Sequence, residues 1–102
     1  MSPNFYQKSE VLYKLGMIYA KTNQVENAIT YFQSSIFTNT FTVKRKADTY
    51  VKIGILYEEI KDYKQAINSY DSAQQLDPLN YKIYLHHSWV YYKMGDLVSS
   101  RS

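Results

Sequence analysis

The segment "LYKLGMIYAKTNQVENAITYF", residues 12–32, returns further along the chain as "YVKIGILYEEIKDYKQAINSY", residues 50–70. Five positions are identical: Lys14 and Lys52, Gly16 and Gly54, Tyr19 and Tyr57, Ala28 and Ala66, Ile29 and Ile67. A third, shorter copy, "YLHHSWVYYKMGDLV", residues 84–98, lays Tyr84 on Tyr50 and Tyr91 on Tyr57. A chain that repeats itself at such periods makes one supersecondary unit several times. It then buries each copy's apolar face against the next.

Within a unit the apolar residues keep helical spacing: Leu12, Leu15, Ile18 and Tyr19, then Ala28, Ile29, Phe32 and Ile36 beyond the polar break "KTNQ". In the second unit Asp62 is placed to cap the helix that carries Ala66, Ile67, Tyr70 and Ala73. That helix should end before "LDPLN", because Pro78 disfavours helical backbone at Asp77. Short breaks between helices of this length make the two helices of a unit antiparallel neighbours. Gly16 stands inside the first helix at a local cost of roughly 0.5–1 kcal/mol relative to alanine. It is therefore expected where the two helices of a unit cross, facing the small side of the Ala28 helix. Gly54 should do the same in the second unit, and Ser88 is its small equivalent in the third.

The spacing of large residue, Leu-Gly, Tyr, small residue, aromatic, small residue and proline resembles the tetratricopeptide repeat. Tyr50, Ile53, Gly54, Tyr57, Ala66, Tyr70, Ala73 and Pro78 match it throughout, and Leu12, Leu15, Gly16, Tyr19, Ala28, Phe32 and Ser35 match it with Thr40 in the place of proline. The resemblance implies an all-α, right-handed superhelical array of antiparallel helix pairs, about two and a half repeats in a single domain over 1–102. Repeat one spans 9–40 with an inserted loop at 38–46, repeat two 47–80, and a partial repeat three 81–102, whose second helix would begin after Asp96; the 38-residue step between the first two units means that the insertion is either a longer loop or about one extra helical turn. The phrases "YKLGMIY" and "GILYEEIKDYKQAINSY" are also similar to the repeat arrays of the general transcriptional corepressor that partners a WD40-repeat protein and of UTX-type histone demethylases.

Little in the chain points to catalysis. There is no cysteine and no glycine-rich loop, and there are two histidines, so neither an activated nucleophile nor a phosphate cradle can be assembled. His86 and His87 are adjacent, so on a helix they diverge by about 100° and do not share a metal ion. No cofactor, metal or small-molecule substrate is expected. Glu58 and Glu59 read as a solvated polar face, and Lys44, Arg45 and Lys46 as a solvated inter-repeat loop. The net charge of +3 is spread along the chain, a poor signal for direct nucleic-acid binding. No apolar stretch approaches the roughly 18 residues of a membrane span, and the start "MSPNFYQKSE" lacks a signal-peptide core. The expected compartment is cytoplasm or nucleus.

What remains is surface. The resemblance implies that the first helix of each unit lines a concave groove, which places Tyr13 and Met17, then Val51, Lys52 and Ile55, then Lys82, Leu85, His86, Trp89 and Tyr92 in it. Chaperone-binding members hold a terminal carboxylate at five groove places. Here these are Tyr13, Met17, Lys52, Lys82 and His86, and only Lys82 has the expected type, so such a clamp is not expected. The reading is a non-enzymatic module that binds a peptide or helix of a partner protein in an apolar groove. The alternative is a structural subunit packed permanently within a large multiprotein assembly. The last helix, rich in aromatics and without a second helix of its unit, is expected to pack on another chain, on further repeats or on a second copy.

Overall fold

The computed structural model describes residues 5–38 and 41–101. These form five helices, α1 Phe5–Lys21, α2 Val25–Phe37, α3 Val43–Glu59, α4 Tyr63–Leu76 and α5 Tyr81–Arg101. Helix α1 packs on α2 and α3 on α4, and the pairs are joined by α2 against α3 and by α4 against α5. The result is an elongated stack measuring 62 × 31 × 16 Å.

The breaks inside the units are set by backbone hydrogen bonding. Asn23 and its counterpart Lys61 both take φ of +63°. After α1, Gln24 N–H reaches Tyr19 C=O at 2.9 Å and Asn23 N–H reaches Ala20 C=O at 3.3 Å; after α3, Asp62 N–H reaches Tyr57 C=O and Lys61 N–H reaches Glu58 C=O, both at 2.9 Å. Each is a Schellman closure, which satisfies the last carbonyls of the helix through one left-handed residue. Lysine adopts that conformation at a cost, because its Cβ crowds the following carbonyl. Lys61→Gly is therefore expected to stabilise the chain by about 0.5–1 kcal/mol, after allowing for the greater freedom of glycine in the unfolded state. A urea midpoint that falls instead would show that the Lys61 side chain contributes more than the strain it imposes. Asp62 caps α4 as its position predicts, accepting from Gln65 N–H at 3.3 Å. Helix α4 ends at Leu76, ahead of Asp77 and Pro78.

Of the two outcomes left open for the insertion at 38–46, residues 43–46 take the additional helical turn. Thr42 caps α3, its hydroxyl accepting from Arg45 N–H at 3.1 Å, and Lys44, Arg45 and Lys46 lie in the first turns of that helix. The helix starts at Val43, well ahead of Tyr50, whereas α5 starts at Tyr81, close to its equivalent Tyr84. The additional residues thus form about one more turn at the start of α3, in which every residue gains helical hydrogen bonding that a loop would leave to water. No turn follows Gly95: α5 continues to Arg101 as a single helix. A break there would forfeit i to i−4 hydrogen bonds, and no packed second helix exists among the described residues to compensate.

The core runs through all three units. Ala28, Ile29, Phe32, Ile53 and Leu56 form one buried cluster; Ala47, Ala73 and Ile83 form a second; Ala66, Tyr70 and Val90 form a third. Gly16 and Gly54 do stand at helix crossings, but they face aromatic rings and not the small face of an alanine. A Cβ at Gly16 would lie 2.8 Å from Phe32 Cδ1, and one at Gly54 would lie 2.5 Å from Tyr70 Cε1. The ring of the second helix lies against bare backbone of the first, an approach that only glycine permits.

Candidate partner-binding groove

Helices α1, α3 and α5 carry the ten residues that the sequence nominates, and they fall into separate settings. Met17, Lys52 and Ile55 are brought together. With Ala20, Phe32, Leu56 and Glu59 they line an open, mainly apolar cavity of about 200 Å³ between α1 and α3. On α5, Leu85, Trp89 and Tyr92 are 62%, 53% and 56% exposed, a run of large apolar side chains on one face of the helix. The Trp89 and Tyr92 rings stack with centroids 5.6 Å apart and planes 10° from parallel.

The other nominated residues are more engaged with their neighbours. Tyr13 meets the edges of Phe32 and Phe41 at 5.4 and 6.0 Å, and the Arg45 guanidinium covers it at 4.5 Å. Val51 is half-buried beside the second and third core clusters. It also lines a separate cavity of about 330 Å³ with Thr42, Lys44, Arg45, Asp48, Asp77, Asn80 and Ile83. The exposed Lys82 has its backbone N–H held by the Asn80 side chain at 3.1 Å, in the first turn of α5. His86 stacks on the buried Tyr70 ring at 5.4 Å, while His87 turns to Asp71, 3.0 Å from its carboxylate.

Two polar groupings leave no mark in the helical pattern. Arg45 donates to Glu10 at 2.5 Å while lying over Tyr13 and Phe41, which ties the additional turn of α3 back onto α1. Glu58, expected on a solvated face, has a side chain only 9% exposed and accepts from Lys93 Nζ at 3.0 Å. Its other carboxylate oxygen accepts from the Tyr70 hydroxyl. Burial, reinforced by the hydrogen bond to Glu58 and its charge, holds the Tyr70 phenol far above the ordinary tyrosine range, so it stays protonated and donates. The signal for this cluster is a paired change between the units: Ala20 and Phe32 in the first become Glu58 and Tyr70 at the matching places of the second. A carboxylate and a phenol appear together where the first unit has a methyl and a phenyl, and each supplies the other's hydrogen bond.

Stacked antiparallel helix pairs define a helical-repeat protein. Models of the tetratricopeptide repeat match residues 9–36 and 47–78, and the chain belongs to that family. It is 38% identical over 65 residues to anaphase-promoting complex subunit 3 of Schizosaccharomyces pombe, a match over 64% of this chain and 9% of that protein. The fold superposes on the crystal structure of MamA with a TM-score of 0.76 at 28% identity, over 85% of this chain and 48% of the other. It also superposes on the Arabidopsis OM64 TPR domain with a TM-score of 0.76 at 22% identity, over 91% and 74% of the two chains, a likeness of fold alone. The chain therefore spans under a tenth of the curated relative and about half of MamA. Among the described residues no helix is long and apolar enough to cross a membrane.

Proposed function

We propose that this chain is a non-catalytic interaction module and that the face formed by α1, α3 and α5 takes a helix or peptide of a partner protein. Membership of a family whose repeats support protein–protein interaction or a scaffold role is the starting point. The observation that carries the reading is the pair of apolar features on that face: the cavity beside Met17 and Ile55, and the exposed Leu85, Trp89 and Tyr92. Large apolar side chains in water are an unfavourable surface unless a partner covers them, and aromatic anchors dominate the energetics of such contacts. The Trp89–Tyr92 stack fixes two of these rings before binding, which lowers the entropy lost on association.

The test is capture of partners by the wild-type chain and by an Ile55→Asp, Leu85→Asp variant, with mass spectrometry of what is retained. Both residues are exposed, so helicity should be kept while specific partners are lost. Retention of the same partners by a folded variant would refute the groove assignment. A second reading, a subunit buried permanently in a larger assembly, is favoured by Tyr84 and Tyr91. They are 43% and 55% exposed on α5, whereas their equivalents Tyr50 and Tyr57 are packed against core clusters. Partners retained through washes that strip groove ligands, and lost only when Tyr84 and Tyr91 are replaced, would favour that reading.

A further inference from the structure

The two gaps between successive first helices are built differently, and the difference specifies a ligand. At the gap between α3 and α5, Glu58 is bridged by Lys93 at 3.0 Å. At the gap between α1 and α3, the residues in the same register are Ala20 and Glu59. Ala20 carries no charge and almost no bulk, so this gap stays open as the cavity of about 200 Å³ that Ala20 and Glu59 both line. The exposed Glu59 carboxylate thus stands at the rim of an apolar pocket, where the neighbouring gap has an ion pair. Lys52 lines the same cavity two turns earlier on α3, and its ion pair with Asp48 is a 3.7 Å surface contact that a ligand can replace.

Resting on the groove reading above, we propose that this cavity takes an amphipathic helix with one large aliphatic or aromatic anchor and a lysine or arginine one turn from it. The anchor fills the space between Met17, Phe32, Ile55 and Leu56. The base meets Glu59 and reproduces the cross-helix pairing that Lys93 makes with Glu58 next door. Because Lys52 stands at the other end of the cavity, the base is accepted at one end only. Charge at the two ends thereby selects the ligand and orients it.

The experiment uses alanine-rich, end-capped helical peptides with a central leucine and, one turn later, either lysine or glutamate. Binding is followed by amide chemical shifts of the isotopically labelled chain. The lysine peptide is expected to bind about fivefold more tightly than the glutamate peptide, as opposing signs at one exposed pair imply. The preference should reverse in Glu59→Lys, and replacing the leucine by alanine should remove binding. Equal affinity for the two peptides, an unchanged preference in Glu59→Lys, or no binding at millimolar peptide would overturn the proposal. If both peptides bind equally and Ile55→Asp abolishes both, the charge rule fails while the groove reading survives. If Ile55→Asp leaves binding intact, the groove reading itself fails.

Discussion

Replacing Gly54 by leucine is expected to unfold the stack or to lower its stability by more than about 3 kcal/mol, the upper end of ordinary overpacking. An added Cβ would lie 2.5 Å from Tyr70 Cε1, 2.8 Å from Cζ and 2.9 Å from Cδ1. Tyr70 is fully buried, its ring stacked against His86 and its hydroxyl held by Glu58, so it has no free direction in which to yield. Gly54→Ala should show the same conflict at a smaller scale. The gain of about 1 kcal/mol in helix propensity is outweighed by the clash, for a net loss of about 1–2 kcal/mol. Gly95→Ala supplies the control, because a Cβ there meets nothing within 4 Å and propensity alone should make it stabilising. Thermal melts distinguish the cases readily, since about 1 kcal/mol moves the midpoint of a chain this long by about 4–8 °C. A Gly54→Ala midpoint at or above wild type would contradict the close approach.

Removing the Lys93 charge should be the second large effect. Lys93→Met leaves the Glu58 carboxylate buried with only the Tyr70 hydroxyl for a partner, and breaking a buried pair from one side costs about 3–5 kcal/mol. Lys93 is itself one-third exposed, so water reaches the vacated position. That screening reduces the expected loss to about 2 kcal/mol. The informative measurement is rescue. Adding Glu58→Ala and Tyr70→Phe to Lys93→Met reproduces the Ala20 and Phe32 arrangement of the first unit. Since apolar replacement of a whole buried polar group is often neutral or stabilising, the triple variant should recover most of the lost stability. Urea midpoints that stay as low as those of the single variant would mean that Lys93 acts through its packing on Trp89 rather than through Glu58.

The repeat makes much of this fold legible. Once residues 12–32 and 50–70 are superposed, the four helices of two units follow, with the cap at Asp62 and the stop ahead of Pro78. Even the left-handed turns are visible afterwards, since Asn23 and Lys61 occupy one register and share one φ. The segment between the units leaves two outcomes open because threonine, lysine and arginine suit both a solvated loop and an exposed helical turn. The choice between the two rests with Glu10, Tyr13 and Phe41, which lie far from Arg45 in sequence or outside the repeat pattern.

The groove shows the same division. Which side chains lie on α1, α3 and α5 is readable from the register, but their availability is not. Tyr13 and Ile55 occupy comparable faces, yet Tyr13 is wedged among Phe32, Phe41 and Arg45 while Ile55 borders an open cavity. The sequence by itself determined the helices of the first two units, their pairing and the glycine at each of their crossings, because these depend on periodicity and on contacts that recur from unit to unit. Tertiary structure alone decided where charge is buried and where space is left. Those outcomes depend on single substitutions meeting across different helices, Glu58 with Tyr70 and Lys93 in one gap and Ala20 with Glu59 in the other, and no local pattern records such a meeting.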